Sequence, residues 1–251
     1  MHSFKNPFRS SIRPLESPAP ISIPTAFTTF TTRFACMSFN LQNRIRLMKF
    51  AEEEVLAIRH EIGQVWRPGL KLIRDVGESR EIQVRRKPWA PSYHGNDDAR
   101  RLLLAILQKC HETGWILAWT VNATRGLYNK DTLIFRKQWP PPPPCVWIVM
   151  SFDSTDKIKI IDSPPDLTRA MLEALGDQVR DKSTPGRFKV HIRGRPWEHS
   201  DSKSVERSSL LLKLIQTLER RGFTIYAAVG DNMLVCQRAV DWRPGDQIRH
   251  R

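Results

Sequence analysis

The residues able to do chemistry are few and scattered. The seven histidines are His2, His60, His94, His111, His191, His199 and His250. None sits in an H-E-x-x-H pattern and none has an acid at ligand spacing, so no metal site is expected. His94 and His199 share a placement: each follows a Pro-Trp pair, Pro88-Trp89 or Pro196-Trp197, in the stretch before a leucine-rich helix. A histidine held there would act as a general acid or base, or would simply be a solvated loop residue. The four cysteines, Cys36, Cys110, Cys145 and Cys236, form no C-x-x-C pair and lack the spacing of a secreted disulfide framework. Cys110 falls on an apolar helix face and Cys236 in a strand pattern, where reduced thiols behave as small hydrophobes, so a reducing compartment is expected. Cys110 and His111 are adjacent on that helix and point about 100° apart, which does not make a thiolate–imidazole pair. Glu52-Glu53-Glu54 stand in a first helical turn and complement its dipole. Glycine-rich phosphate loops are absent from the sequence. No cofactor is expected, and the reading leans away from an enzyme.

The basic residues offer a different chemistry. Arg85, Arg86 and Lys87 stand at the end of one strand pattern, and Arg193 and Arg195 at the end of an equivalent one. Arg100, Arg101 and Lys109 add charge to one helix, and Lys213, Arg220 and Arg221 to its counterpart. With a net charge of +14, nucleic acid and other acidic partners enter the list. Two halves packed with pseudo-twofold symmetry would join these residues into one basic band suited to phosphate backbones. The alternative is a set of solvated strand edges, with Lys and Arg guarding against aggregation. The positive excess is spread along the chain rather than gathered on one element. Trp89 and Trp197 would stack on a base or serve as core.

The elements that must position these residues occur twice. From Trp89 through Gly114, and from Trp197 through Gly222, the copies run at a constant offset of 108 residues. Each leads from Pro-Trp through a polar loop to a leucine triplet (Leu102-Leu103-Leu104, Leu210-Leu211-Leu212), then to Gly114-Trp115 or Gly222-Phe223. Leu103, Ile106, Leu107 and Cys110 make an i, i+3, i+4, i+7 stripe, and Leu211, Leu214, Ile215 and Leu218 repeat it. The glycines supply the left-handed residue that ends such helices. Residues 115–121 with 132–137, and 223–229 with 233–238, read as hairpins. Earlier, residues 44–47 and 157–160 alternate after a turn-forming Asn or Asp and read as short strands. Val55, Ile58 and Ile62 share a helical face, matched by Met171 and Leu175 behind Pro164-Pro165-Asp166. Residues 81–85 and 188–192 read as strands.

The expected fold is therefore α+β, a tandem duplication of a β-α-β-α-β-β unit. Each unit is a small, mostly antiparallel sheet with two helices on one face, and the pair packs as a pseudo-dimer. The repeats span residues 37–138 and 148–240, joined by a proline-rich linker (139–147) that contains Pro140 to Pro144, with a basic tail at 241–251. Residues 1–36 hold five prolines and Arg and Ser residues against a single acid, Glu16. Three readings stay open for them: a disordered tail, a mitochondrial transit peptide, or an extension ahead of a true start at Met37. Asn122-Ala123-Thr124 matches a glycosylation acceptor but lacks a secretory signal. No apolar run approaches the ~18–20 residues that cross a bilayer, so a soluble cytoplasmic or nuclear protein is expected, mitochondrial if a transit peptide is present.

The run from Ser154 through Ile161 to Asp166, the Pro-Trp with its leucine-rich helix and Gly-Trp, and Asp131-Thr132-Leu133-Ile134-Phe135-Arg136-Lys137 before a proline linker form one pattern. This pattern resembles a family of uncharacterised eukaryotic proteins common in fungi, over about residues 37–238. The resemblance implies the duplicated architecture and carries no activity, cofactor or catalytic residue. The chain departs from the pattern in the shortened final loop of its second copy. A duplicated hydrophobic frame without reactive residues points to a non-catalytic interaction or scaffold protein that uses an open sheet face or the cleft between units. A protein is then the leading partner, with no membrane. Sequence-independent nucleic-acid binding through the basic face is the alternative, and an enzyme with a site between the repeats, at His94 or His199, the third.

Overall fold

Twelve strands and four helices carry the fold in a computed structural model that describes residues 33–89, 96–121, 132–182, 188–198, 200–230 and 232–248. The first repeat runs β1 (Phe34–Asn40), β2 (Arg44–Met48), α1 (Glu52–Val65), β3 (Leu70–Val76), β4 (Ser79–Val84), α2 (Asp97–Glu112), β5 (Trp115–Val121) and β6 (Thr132–Lys137). The second repeats that order as β7 (Cys145–Asp153), β8 (Lys157–Ile161), α3 (Pro165–Leu175), β9 (Val179–Lys182), β10 (Phe188–Ile192), α4 (Ser204–Arg220), β11 (Thr224–Val229) and β12 (Met233–Ala239). Each repeat forms one six-stranded sheet, ordered β3-β4-β2-β1-β6-β5 and β9-β10-β8-β7-β12-β11, and every neighbouring pair is antiparallel.

The tandem α+β duplication thus stands, and each unit holds two strands more than the periodicity reveals. The strand read at residues 44–47 is the second arm of a hairpin whose first arm is β1. A further hairpin arm, β3, precedes β4 at the sheet edge, and β7 and β9 are their counterparts.

Local sequence explains the element ends. Asn96 caps α2, its side-chain oxygen accepting from the Asp98 N–H at 2.9 Å. Glu54 reaches back to the Ala51 N–H at 2.7 Å at the start of α1. Gly114 and Gly222 end α2 and α4 with φ of 83° and 78°, where a side chain is disfavoured. A Cβ at either would also meet close neighbours, the Gln138 carbonyl oxygen at 2.6 Å or the Trp242 ring at 2.3 Å.

One device recurs at the same place in both copies. Lys137 lies 4.9 Å from the Trp115 ring and bonds Glu54 in α1. Arg238 lies 4.6 Å from the Phe223 ring and bonds Asp166 in α3 at 2.7 Å. Each ties the last strand to the start of the first helix. Burial pushes the Glu54 carboxyl upward, but its bonds to Lys137 and the Ala51 N–H outweigh this and hold it below the usual carboxylate range.

The repeats do not pack as a pseudo-twofold dimer. The first repeat's core contains, beside its own front-face and helix residues, Trp147, Val149, Ile161, Tyr226 and Val235 of the second. These come from the side of the second sheet opposite α3 and α4. Helix α2 therefore lies between two sheets, its own and the back of the next. Leu104 on α2 is 5% exposed, whereas Leu212 at the equivalent place on α4 is 59% exposed. Unlike surfaces meet, head to tail. The expectation of twofold packing fails because the outer face of α2, with Leu104 and Arg100, seats on the back of the second sheet, whereas the equivalent face of α4 stays exposed.

Candidate interaction surface

The junction between repeats is built from a charged centre and an aromatic corner. Arg100 on α2 grips both carboxylate oxygens of Asp153 at the end of β7, with Nη1 to Oδ2 at 3.1 Å. Lys159 on β8 bonds Asp97 at 3.0 Å and lies 3.6 Å from Asp153. The four charges alternate and cancel, so the buried pair is compensated in the way a low-dielectric site demands. At the other end His111 meets Trp147 edge to face, ring centres 5.1 Å apart, and Trp147 meets Tyr226 at 4.7 Å. Tyr226 is the bulged residue of β11; the bulge re-aims it, and its hydroxyl accepts from the Leu117 N–H at 3.0 Å.

This junction covers much of the back of the second sheet. Among the described residues nothing covers the same face of the first sheet, which is open. Pairing register puts Phe34, Cys36, Ser38 and Asn40 of β1 on that side. They are joined there by Arg44, Arg46 and Met48 of β2, Glu81 and Gln83 of β4, Leu72 and Arg74 of β3, Ile134 and Arg136 of β6, and Trp119 and Val121 of β5. Five of the exposed large hydrophobic residues, Phe34, Met48, Leu72, Trp119 and Val121, lie here, Trp119 being 60% exposed. Phe34 stacks on Trp119 with ring centres 6.2 Å apart. An exposed apolar cluster gathered on one face marks an interaction site more often than scattered residues do.

Beside the aromatic end lies a basic one. Glu81, only 1% exposed, faces Arg46 and Arg74 directly across the strands at 2.8 and 2.9 Å, with Arg44 at 3.3 Å. Burial pushes its carboxyl upward, but the three guanidinium groups outweigh this and hold it below the ordinary carboxylate range. One carboxylate against three arginines leaves the face positively charged.

The residues singled out from the sequence fall elsewhere. Arg85, Arg86 and Lys87 are exposed just beyond β4, and Arg193 and Arg195 just beyond β10. Arg85 Nε donates to the Leu70 carbonyl at 3.2 Å, and Arg195 stands 3.6 Å from Glu198. The head-to-tail packing leaves each set at the end of its own sheet, without the twofold relation that would merge them. Of the helical cations, Arg100 is committed to the junction, Arg101 lies 3.5 Å from Asp162, and Lys109 bonds Glu112 at 2.6 Å. His94 and His199 lie outside the described residues. Burial pushes the Cys110 and Cys236 thiols up, the latter to about 12, so both remain protonated and inert. Among the described residues, no group of three or more His, Cys, Asp or Glu side chains could hold a metal ion, and no helix is long and apolar enough to cross a membrane.

The open face escapes sequence reading because its residues belong to six strands and converge only through pairing. The signal available was a comparison of the copies: Phe34, Cys36 and Asn40 stand where Trp147, Val149 and Asp153 stand, so the same face was set for different neighbours.

A protein-family match supports the duplication. One protein-family domain matches the chain twice, over residues 33–136 and 146–239. The chain belongs to that family. Its two matched segments bracket the two sheets, so each six-stranded repeat corresponds to one copy of the family's domain. A solved structure, that of a conserved kinetoplastid-specific protein from Trypanosoma cruzi, aligns over its whole length with 43% of this chain, at 17% identity and a TM-score of 0.33. No curated protein matches the sequence.

Proposed function

We propose that this chain is a non-catalytic interaction protein that docks a protein partner on the open face of its first sheet. The observation that carries this reading is the unequal fate of one face in two copies of one fold. In the second repeat the face is covered by α2; in the first it presents Phe34, Leu72, Trp119 and Val121 to solvent. The covered copy is an internal example of what such a face does when it has a partner. The second repeat and α2 then act as a base, and the buried Arg100–Asp153 pair fixes its register.

The test is a photo-crosslinking residue at position 119, introduced into the full chain in its own cells. The reading predicts a protease-sensitive adduct that Leu72→Asp on the same face abolishes. The same crosslinker at Leu56, an exposed residue of α1, should give none. Equal adducts at 119 and 56 would refute it.

A second reading, nucleic-acid binding, draws support from the arginines of the same face, from Arg85, Arg86, Lys87, Arg193 and Arg195, and from the +14 charge. Stacked aromatics beside cations suit single strands. It predicts a nuclease-sensitive adduct, and binding that weakens steeply with salt.

A further inference from the structure

We infer that the partner on the open face is a second copy of this chain, seated by the outer face of α4. This rests on the reading of that face as a protein-docking surface and names its occupant. A head-to-tail junction pairs unlike surfaces, so a single chain holding one such junction keeps one unfilled copy of each. The one inside the chain joins the outer face of the first repeat, made by α2 and β5, to the back of the second sheet. One unfilled copy of each surface is left over: the outer face of α4 and β11, and the back of the first sheet.

The leftover surfaces retain the apolar part of the filled junction. Leu104 and Leu117, both buried, correspond to Leu212 and Ile225, both exposed; Val205 is exposed at the place of Asp97. On the receiving side, Trp147, Val149 and Ile161 correspond to Phe34, Cys36 and Met48. Of the twelve exposed large hydrophobic residues among those described, eight lie on these two leftover surfaces, five on the sheet and three on α4 and β11.

The polar part has changed on both sides together. Asp153, which takes Arg100 in the filled junction, is Asn40 in the first sheet, and Arg100 itself is Ser208 in α4. The buried Arg100–Asp153 pair is thus replaced on both partners by neutral groups able to hydrogen-bond, while Val205 stands at the place of Asp97 and Arg46, held by Glu81 at 2.8 Å, at that of Lys159. Glu219 stands at the place of His111, which would bring it to Phe34 and the neighbouring exposed Arg136. Molecules joined this way would extend head to tail, as an open chain of repeats or, where the rotation closes, a ring.

The test is sedimentation of the purified full chain over a concentration series. The inference predicts a mass that grows with concentration beyond the monomer, without limit for an open chain or to a fixed size for a ring. Leu212→Glu blocks one surface and Trp119→Glu the other, so each variant alone stays monomeric. Mixed together, they should form a dimer that grows no further, because each supplies the surface the other lacks. Both positions are exposed; Val205→Glu and Phe34→Glu repeat the test if either first variant loses its near-ultraviolet circular dichroism. A chain that stays monomeric throughout overturns the inference, as does a closed dimer lost with Trp119→Glu and kept with Leu212→Glu. A protease-sensitive crosslink from position 119 would then still uphold the docking face, with a different protein on it. A monomer whose only adduct at 119 is nuclease-sensitive overturns both.

Discussion

Replacing Arg100 with Met tests whether the repeats are held by a buried charge pair. The substitution keeps the stem of the side chain and removes the guanidinium that binds both oxygens of Asp153. Asp153, 8% exposed, then keeps only Lys159, whose Nζ lies at 3.6 Å and is shared with Asp97. Stranding one member of a buried pair costs about 3–5 kcal/mol, and the nearby lysine should reduce this to roughly 2–4 kcal/mol. Urea unfolding followed by tryptophan fluorescence measures it, since Trp147 sits in the same junction. Adding Asp153→Asn removes the stranded charge, so the double variant should lose less than the two single losses added together, with a coupling of about 0.5–3 kcal/mol. The loss should persist in high salt, because screening reaches buried pairs weakly. A change within about 0.5 kcal/mol, or one that salt abolishes, would refute the argument.

Other outcomes follow from the same packing. Leu107→Ala, at a fully buried site, should destabilise by roughly 2–5 kcal/mol, while Ile215→Ala at the partly exposed counterpart should cost less than half as much; equal losses in urea titrations would count against the head-to-tail arrangement. Glu81→Gln should lower stability at neutral pH by about 1–3 kcal/mol through loss of charge-assisted bonds. Because the folded-state pKa of Glu81 is depressed, its contribution is complete above the unfolded carboxylate range and fades as pH falls through the folded value. The variant's melting temperature should therefore vary less with pH on the acid side, and curves that stay parallel would refute the assignment. Gly222→Ala should destabilise by more than about 1 kcal/mol, since φ is 78° and a methyl would meet the Trp242 ring; an unshifted thermal transition would contradict this.

The helices and the duplication were legible because both rest on local periodicity. The stripe of Leu103, Ile106, Leu107 and Cys110 is buried as spaced, and Gly114 and Gly222 close their helices as their type suggests. Strand β1 was hidden because Ala35 and Cys36 blur the alternation. Strand β3 was hidden by its edge position and by the bulge between Leu70 and Leu72, which breaks the period of two. The packing between repeats depends on which second face of α2 finds a cover, and periodicity within one helix does not say that. Its trace was present all the same. The run Cys145-Val146-Trp147-Ile148-Val149-Met150 lacks alternation because from Trp147 to Met150 the strand is buried on both faces, and Arg100 against Ser208 marks the helix whose outer face is covered inside the chain and the one whose outer face is left exposed.

The central claim is that one face of the fold is covered inside the chain in one copy and left for a partner in the other. Hydroxyl-radical footprinting, read by mass spectrometry on the dilute purified chain and on the chain in its cells, tests it directly. Trp147 and Tyr226 should be protected in both, while Trp119 and Phe34 should react freely in the purified chain and become protected in cells. Equal labelling of Trp119 in the two settings, or labelling of Trp147 as strong as that of Trp119, would contradict the account.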